Sequence, residues 1–174
     1  MLYNNCAVNR AKLIDEPIVE MLLTNKYYRS GVSFTRADIK SDLCGVDIVC
    51  YSNGIKRNIN VKRNSSKYYS SPNFTMSIDK NNLEAFNNSI YVFIDEVADA
   101  LYIVDGVSLL SYIVNHDNCI MTSNKNSSKS YILIPKKDLL EIIGDNNNRI
   151  IRYSKQIAAL LEMNRDESKF TNLV

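Results

Sequence analysis

The sequence predicts a mixed α/β domain, with a central sheet of four or five strands flanked by helices. Three observations carry that expectation. Apolar residues recur at helical spacing near both ends of the chain. Short runs rich in β-branched residues occupy the middle. An Asn-Gly pair, among the strongest hairpin signals, joins two of those runs. The chain has 174 residues, 45% hydrophobic and 23% charged, the balance of one globular domain. Collagenous, coiled-coil and wholly disordered chains are excluded. We expect a single domain over 1–163 and a frayed tail over 164–174.

In chain order, the first helix is expected from about Asn9 to Tyr28, where Ile14, Ile18, Met21 and Leu22 share one side. Pro17 lies inside it, and either kinks the helix or opens a new one with Asp15 or Glu16 as cap. Glu16 and Glu20 lie four apart on one face. Ser30 to Asp42 reads as polar and irregular, with Arg36, Asp38, Lys40 and Asp42 alternating in charge. Cys44 to Tyr51 reads as a strand, Ser52-Asn53-Gly54 as a turn and Ile55 to Lys62 as the second strand, with Asn60 and Lys62 on one face. Asn64 to Asn82 is a long polar connection. Leu83 to Asn88 forms a helical turn, and Ser89 to Asp95 and Ala100 to Val104 form two further strands. Gly106 to Val114 is a helix, Asp117 to Lys129 a loop, Ser130 to Ile134 a strand, and Pro135 to Ile143 a helix stopped by Gly144. The clearest amphipathic helix is expected over Arg149 to Met163, its apolar stripe facing the core or a second copy in a homodimer.

Several function classes fall away. No apolar run approaches the roughly 18 residues a bilayer span requires, so no membrane partner is expected. The N-terminus lacks the basic and apolar regions of a secretory signal. The four cysteines form no C-x-x-C pair, and the single histidine, His116, has no ligand-spaced partner, which argues against a zinc cluster. The cysteines read as small buried residues in a reducing, cytoplasmic setting. Abundant Asn, Ile, Ser and Lys suit an AT-rich genome, such as that of a low-GC bacterium, its phage or a large DNA virus.

Net charge is only +2, so a polyanion partner must be argued from where the charges sit. No acidic residue lies between Asp47 and Asp79, an interval that holds Lys56, Arg57, Lys62, Arg63 and Lys67. Tyr51, Tyr68 and Tyr69 are interleaved with them. Cations that neutralise phosphates and rings that stack on bases make Lys56, Arg57, Arg63, Lys67 and Tyr68 the candidate nucleic-acid contacts. On the same hairpin, pairing brings Asp47 and Lys62 onto one face. A carboxylate that holds a divalent ion beside a lysine that stabilises transition-state charge suits phosphodiester hydrolysis.

Gly45-Val46-Asp47, then twelve residues, then Asn60-Val61-Lys62 resembles the hairpin of the PD-(D/E)XK nuclease superfamily, whose phage, intron-encoded and restriction-type members carry an Asp on one strand and a carboxylate-x-Lys on the next. The helix before it and the strand-helix at Tyr131 to Leu140 are similar too, so the likeness spans about residues 10 to 143. It implies a restriction-endonuclease-like core and a hydrolase that cuts DNA with Mg²⁺ or Mn²⁺. It further implies Asp47, Asn60, Lys62 and Glu20 as catalytic residues, and Asp47, Glu20, Asn60 and Glu16 as metal ligands. Asn60 stands where the family has a carboxylate and offers only a neutral oxygen. Two expectations follow: a working endonuclease, with Glu16, Glu20 or Asp42 supplying the missing charge, or an impaired relative that binds nucleic acid or a protein without cutting.

Overall fold

The computed structural model describes residue 6 and residues 8–43, 45–79, 82–116, 120–122 and 129–170. Two sheets organise them. The larger runs β1 (Val32–Arg36), β2 (Ile48–Ser52), β3 (Ile55–Arg63), β5 (Ser89–Asp95), β6 (Ala100–Asp105) and β9 (Ile150–Arg152) in that spatial order. The smaller runs β4 (Asn73–Asp79), β8 (Lys129–Pro135) and β7 (Ile120–Thr122). Only β3 and β5 pair in parallel, and the other neighbours are antiparallel. The molecule is therefore of the expected α/β class, a mixed sheet flanked by helices. Its main sheet has six strands where four or five were expected.

The hairpin turns where the sequence placed it. Asn53 and Gly54 have φ of 51° and 78°, the two positive values that a turn matching the twist of its strands requires. Opposite β5 the chain must cross over to run parallel, and the crossover carries β4 into the second sheet. Asn64 fixes its start: the buried amide donates to Tyr68 O (3.1 Å) and Asn73 O (2.9 Å) and accepts from Thr75 N (3.2 Å).

Helix α1 (Glu16–Tyr27) follows a π-helical turn, Ala11–Asp15. Pro17, in the first turn of α1, has no N–H to give to the turn below, and the wider hydrogen-bond ring accommodates the loss. Through Ile18, Val19, Leu22 and Leu23, α1 packs on Ile48, Cys50, Ile59, Val92, Ile94 and Leu101 of the main sheet. The opposite face carries a second core. There Phe93, Tyr102 and Val104 meet Phe74, Met76 and Ile78 of β4, Ile132 and Ile134 of β8, and the helices α3 (Gly106–Asn115) and α4 (Lys136–Ile143). Gly106 opens α3 where a Cβ would sit 2.0 Å from Phe86 O, so only glycine lets that turn approach.

Four expectations are corrected. The polar stretch after Ser30 contains β1 and the short α2 (Ile39–Leu43). The long connection contains β4, whose Phe74, Met76 and Ile78 alternate into the core. The helix expected over Arg149 to Met163 is β9 followed by α5 (Lys155–Met163), because Ile150 and Ile151 pair with Tyr102 and Leu101 and Ser154 caps the new helix by accepting from Ile157 N. Of its apolar stripe, Tyr153 and Leu161 are buried in the core, whereas Leu160 is exposed. Finally, the residues after Asn164 do not fray. Glu167–Phe170 forms a 3₁₀ turn whose Phe170 is buried and accepts from Asn9 Nδ2 at 2.9 Å; residues 171–174 lie outside the described residues. Cys6 and Cys50 are buried, as expected, whereas Cys44 and Cys119 are also outside the described set. No helix among the described residues is long and apolar enough to cross a membrane.

Candidate active site

Alternation along β3 decides what each residue can do. Ile59, Val61 and Arg63 face α1, whereas Lys56, Asn58, Asn60 and Lys62 face the second sheet. Asp47 lies one step before β2, where Ile48 pairs with Ile59. Its backbone N–H donates to Ile59 O at 3.0 Å, so it sits opposite Asn60 and shares that residue's face. The Asp47 Oδ2 accepts from Val61 N at 2.6 Å, leaving its other oxygen for another partner. Burial raises the Asp47 pKa, and the Lys62 ammonium and the Val61 N–H pull against that rise. The predicted juxtaposition of Asp47, Asn60 and Lys62 is therefore present.

The helix carboxylate that joins them is Glu16. It is 3% exposed at the first position of α1. Its pKa is pushed up to about 7, first by burial, then by the Asp47 carboxylate, with Arg36 opposing. The Arg36 guanidinium meets Glu16 Oε2 at 2.5 Å. Asp42, paired with Lys12, adds negative field to both Glu16 and Asp47. Glu20, one turn further along α1, is half-buried and does not enter this group of coupled charges. Arg36 was not singled out by the sequence, although its place in an alternating charged stretch was visible.

Two hard carboxylate oxygens and an amide oxygen on adjoining elements suit a small oxygen-seeking divalent cation such as Mg²⁺ or Mn²⁺. Like charges held together away from water are relieved by such an ion. Among the described residues, no three His, Cys, Asp or Glu side chains gather into a metal cage, which agrees with a neutral Asn60 at the third position.

Asn60 and Lys62 open into a cleft of about 390 Å³ between β3 and β4, also lined by Asn58, Ser77, Asn82 and Tyr91. Of the expected nucleic-acid contacts, Lys56 and Arg57 are exposed on the hairpin, but only Lys56 shares the cleft face. Lys67 is exposed with its Nζ 5.3 Å from the Tyr68 ring centre, and that ring is 54% exposed. Arg63 is a correction. Its side chain is 2% exposed and donates to Asp15 (2.6 Å), Glu96 (2.8 Å) and Leu161 O (2.8 Å), so no phosphate can reach it. Near the C-terminal helix, Arg149 pairs with Asp105 at 2.8 Å and the exposed Lys155 with Asp99 at 2.7 Å.

No protein-family model and no curated protein matches the sequence. The chain is similar to the solved structure of a nuclease from a fusselovirus, at 12% identity over 84% of this chain and 88% of that one, with a TM-score of 0.44.

Proposed function

We propose that this chain is a divalent-metal-dependent endonuclease that hydrolyses DNA phosphodiester bonds. The observation that supports it above all others is the placing of Asp47, Asn60 and Lys62 on one face of the hairpin, with the buried Glu16 carboxylate close enough to Asp47 for their charges to interact. Glu16, Asp47 and Asn60 would hold Mg²⁺ or Mn²⁺, which supplies charge neutralisation at the phosphate and acidifies a water. Lys62 places its ammonium toward the developing negative charge of the transition state, where a fixed donor is worth most. Val61 N–H holds one Asp47 oxygen, fixing the rotamer that directs the other outward. Arg36 orients Glu16 and opposes the rise in its pKa. Lys56 extends the cationic face along the strand for a phosphate backbone.

Plasmid and oligonucleotide cleavage with Mg²⁺ or Mn²⁺ tests this reading. Wild type cuts, and Asp47→Ala and Lys62→Ala lose most of that activity; cleavage by both variants at the wild-type rate would overturn the assignment. A second reading rests on Asn60 and on the absence of a three-acid cage among the described residues: a nuclease-fold protein that binds nucleic acid without cutting. It requires salt-sensitive DNA binding with no metal-dependent cleavage, and cleavage gained in Asn60→Glu.

A further inference from the structure

We infer that the cleft beside Lys62 receives an unpaired nucleobase of the substrate strand. The inference rests on the nuclease reading for the identity of the strand, but its evidence is separate: hydrogen-bonding groups left without protein partners around one cavity. The Tyr91 side chain is only 6% exposed, lies opposite Asn60 in the β3–β5 register and lines the cleft. Its phenol makes no hydrogen bond among the described residues, whereas the comparably buried Tyr102 and Tyr153 phenols donate to Asp95 Oδ2 and Asp95 O. No buried side-chain N or O among the described residues lacks a partner, so the Tyr91 hydroxyl opens onto the cleft it lines, where a ligand can take the place of water as its partner. The side chains of Asn58 and Asn60 also make no hydrogen bond among the described residues and line the same wall. Asn82 stands at the mouth without the capping bond its position invites.

Three amides and a phenol offer donors and acceptors together, which is what the edge of a nucleobase demands and what a bare phosphate does not. The cleft's 390 Å³ falls in the range of small-ligand sites, and a base stacked within a duplex cannot enter it. The Tyr91 ring is held against Phe86, with centroids 5.1 Å apart and planes at 27°, so the floor is rigid and aromatic. Lys62 at the rim then meets the phosphate attached to that base. The substrate class is accordingly DNA with an unpaired nucleotide at the cut: single strands, bulges or flaps. Asn side chains pair bidentately with adenine, which makes adenine the preferred occupant.

The test is fluorescence anisotropy, in Ca²⁺ without turnover, on labelled oligonucleotides of one length: single-stranded, blunt duplex, and duplex with one bulged adenine. Parallel cleavage assays use Mn²⁺. We expect the bulged duplex to bind at least about tenfold tighter than the blunt one, the worth of one or two hydrogen bonds. Asn58→Ala/Asn82→Ala and Tyr91→Phe reduce that ratio below about threefold, and Tyr91→Phe keeps the ring and hence the packing. Equal binding of bulged and blunt duplex, or a ratio unchanged in both variants, overturns the inference. If Mn²⁺-dependent cutting persists in that case, the nuclease reading survives the loss. If the bulge preference holds but nothing is cut, the nuclease reading fails and the base pocket stands.

Discussion

Two neighbouring pairs of residues divide the charges of this molecule into two kinds. Asp15 and Glu16 are adjacent, as are Lys62 and Arg63, yet each pair splits between different surroundings. Asp15 and Arg63 belong to a buried network in which Arg10, Glu96, Arg165 and Glu167 also take part, with every charge matched by an opposite one at 2.6–3.3 Å. Glu16 and Lys62 both act on Asp47 and stand outside that network. Glu16 is crowded by Asp47 and Asp42, the Asn60 and Tyr91 side chains make no hydrogen bond among the described residues, and Lys62 lines the cleft. The network satisfies its members internally and ties the N-terminal turn, β3, the β5–β6 turn and the C-terminal 3₁₀ turn together. The cleft groups are not locked to protein partners: no buried side-chain N or O among the described residues is left unsatisfied, and these groups open to solvent, where a ligand can reach them.

Breaking the two regions should therefore give opposite signatures. Arg63→Ala leaves Asp15 to Arg10 alone and Glu96 to Arg165 alone, in a buried network now short of one positive charge, and should cost about 3–5 kcal/mol in urea unfolding. Lys62→Ala, one residue away, should change stability by less than about 1 kcal/mol while cutting metal-dependent cleavage roughly 10²–10³-fold. Equal stability losses in the two variants would erase the distinction.

The tyrosines sharpen it. Burial pushes the Tyr91 phenol up to about 12, and burial with the Asp95 charge does the same for Tyr102. A phenol that ionises later in the folded chain than in the unfolded one stabilises the fold fully below pH ~10 and loses that contribution as pH climbs toward 12. Absorbance titration should show these two ionising late, together with Tyr153, which burial and the nearby Asp99, Glu96 and Asp95 push higher still, and urea midpoints should fall over that interval. Tyr102→Phe, which breaks a bond to Asp95, should cost about 1 kcal/mol at neutral pH. Tyr91→Phe, which breaks none, should be neutral there and should flatten the alkaline loss. The smallest effect concerns the hairpin. Lys56→Ala should lower the slope of log DNA affinity against log salt by about 1, and Arg57→Ala, on the other face of β3, should lower it less.

How much of this was legible can be argued from the same residues. The hairpin was, because Asn53-Gly54 and the alternation of Ile55 to Lys62 encode turn and register locally. That parity also separates Lys62 from Arg63, and the misassignment of Arg63 to phosphate came from counting charge without applying the period of two. The alternation of Phe74, Met76 and Ile78 in β4 was equally readable but was masked by the Asn and Ser around it. β1 was not readable: as an edge strand it buries little, and only Val32 and Phe34 are even half-covered. β9 was absorbed into a helix because Ile150 and Ile151 also satisfy a helical stripe, and only the Ser154 cap marked the boundary. Choosing Glu16 over Glu20 required three dimensions, since both share a face of α1 and only the packing of the first turn brings one of them to Asp47. Tyr91 carried no signal in sequence, where it reads as one more buried strand residue.

The central claim is that Glu16, Asp47 and Asn60 form a cation site beside Lys62. Mn²⁺ titration calorimetry on the full chain, wild type against Asp47→Ala, tests it most directly. The account predicts one Mn²⁺ bound per wild-type chain, binding lost in Asp47→Ala, and tighter binding in Asn60→Glu as a second oxygen charge enters the face. Absence of binding in wild type, or identical isotherms for wild type and Asp47→Ala, would contradict it.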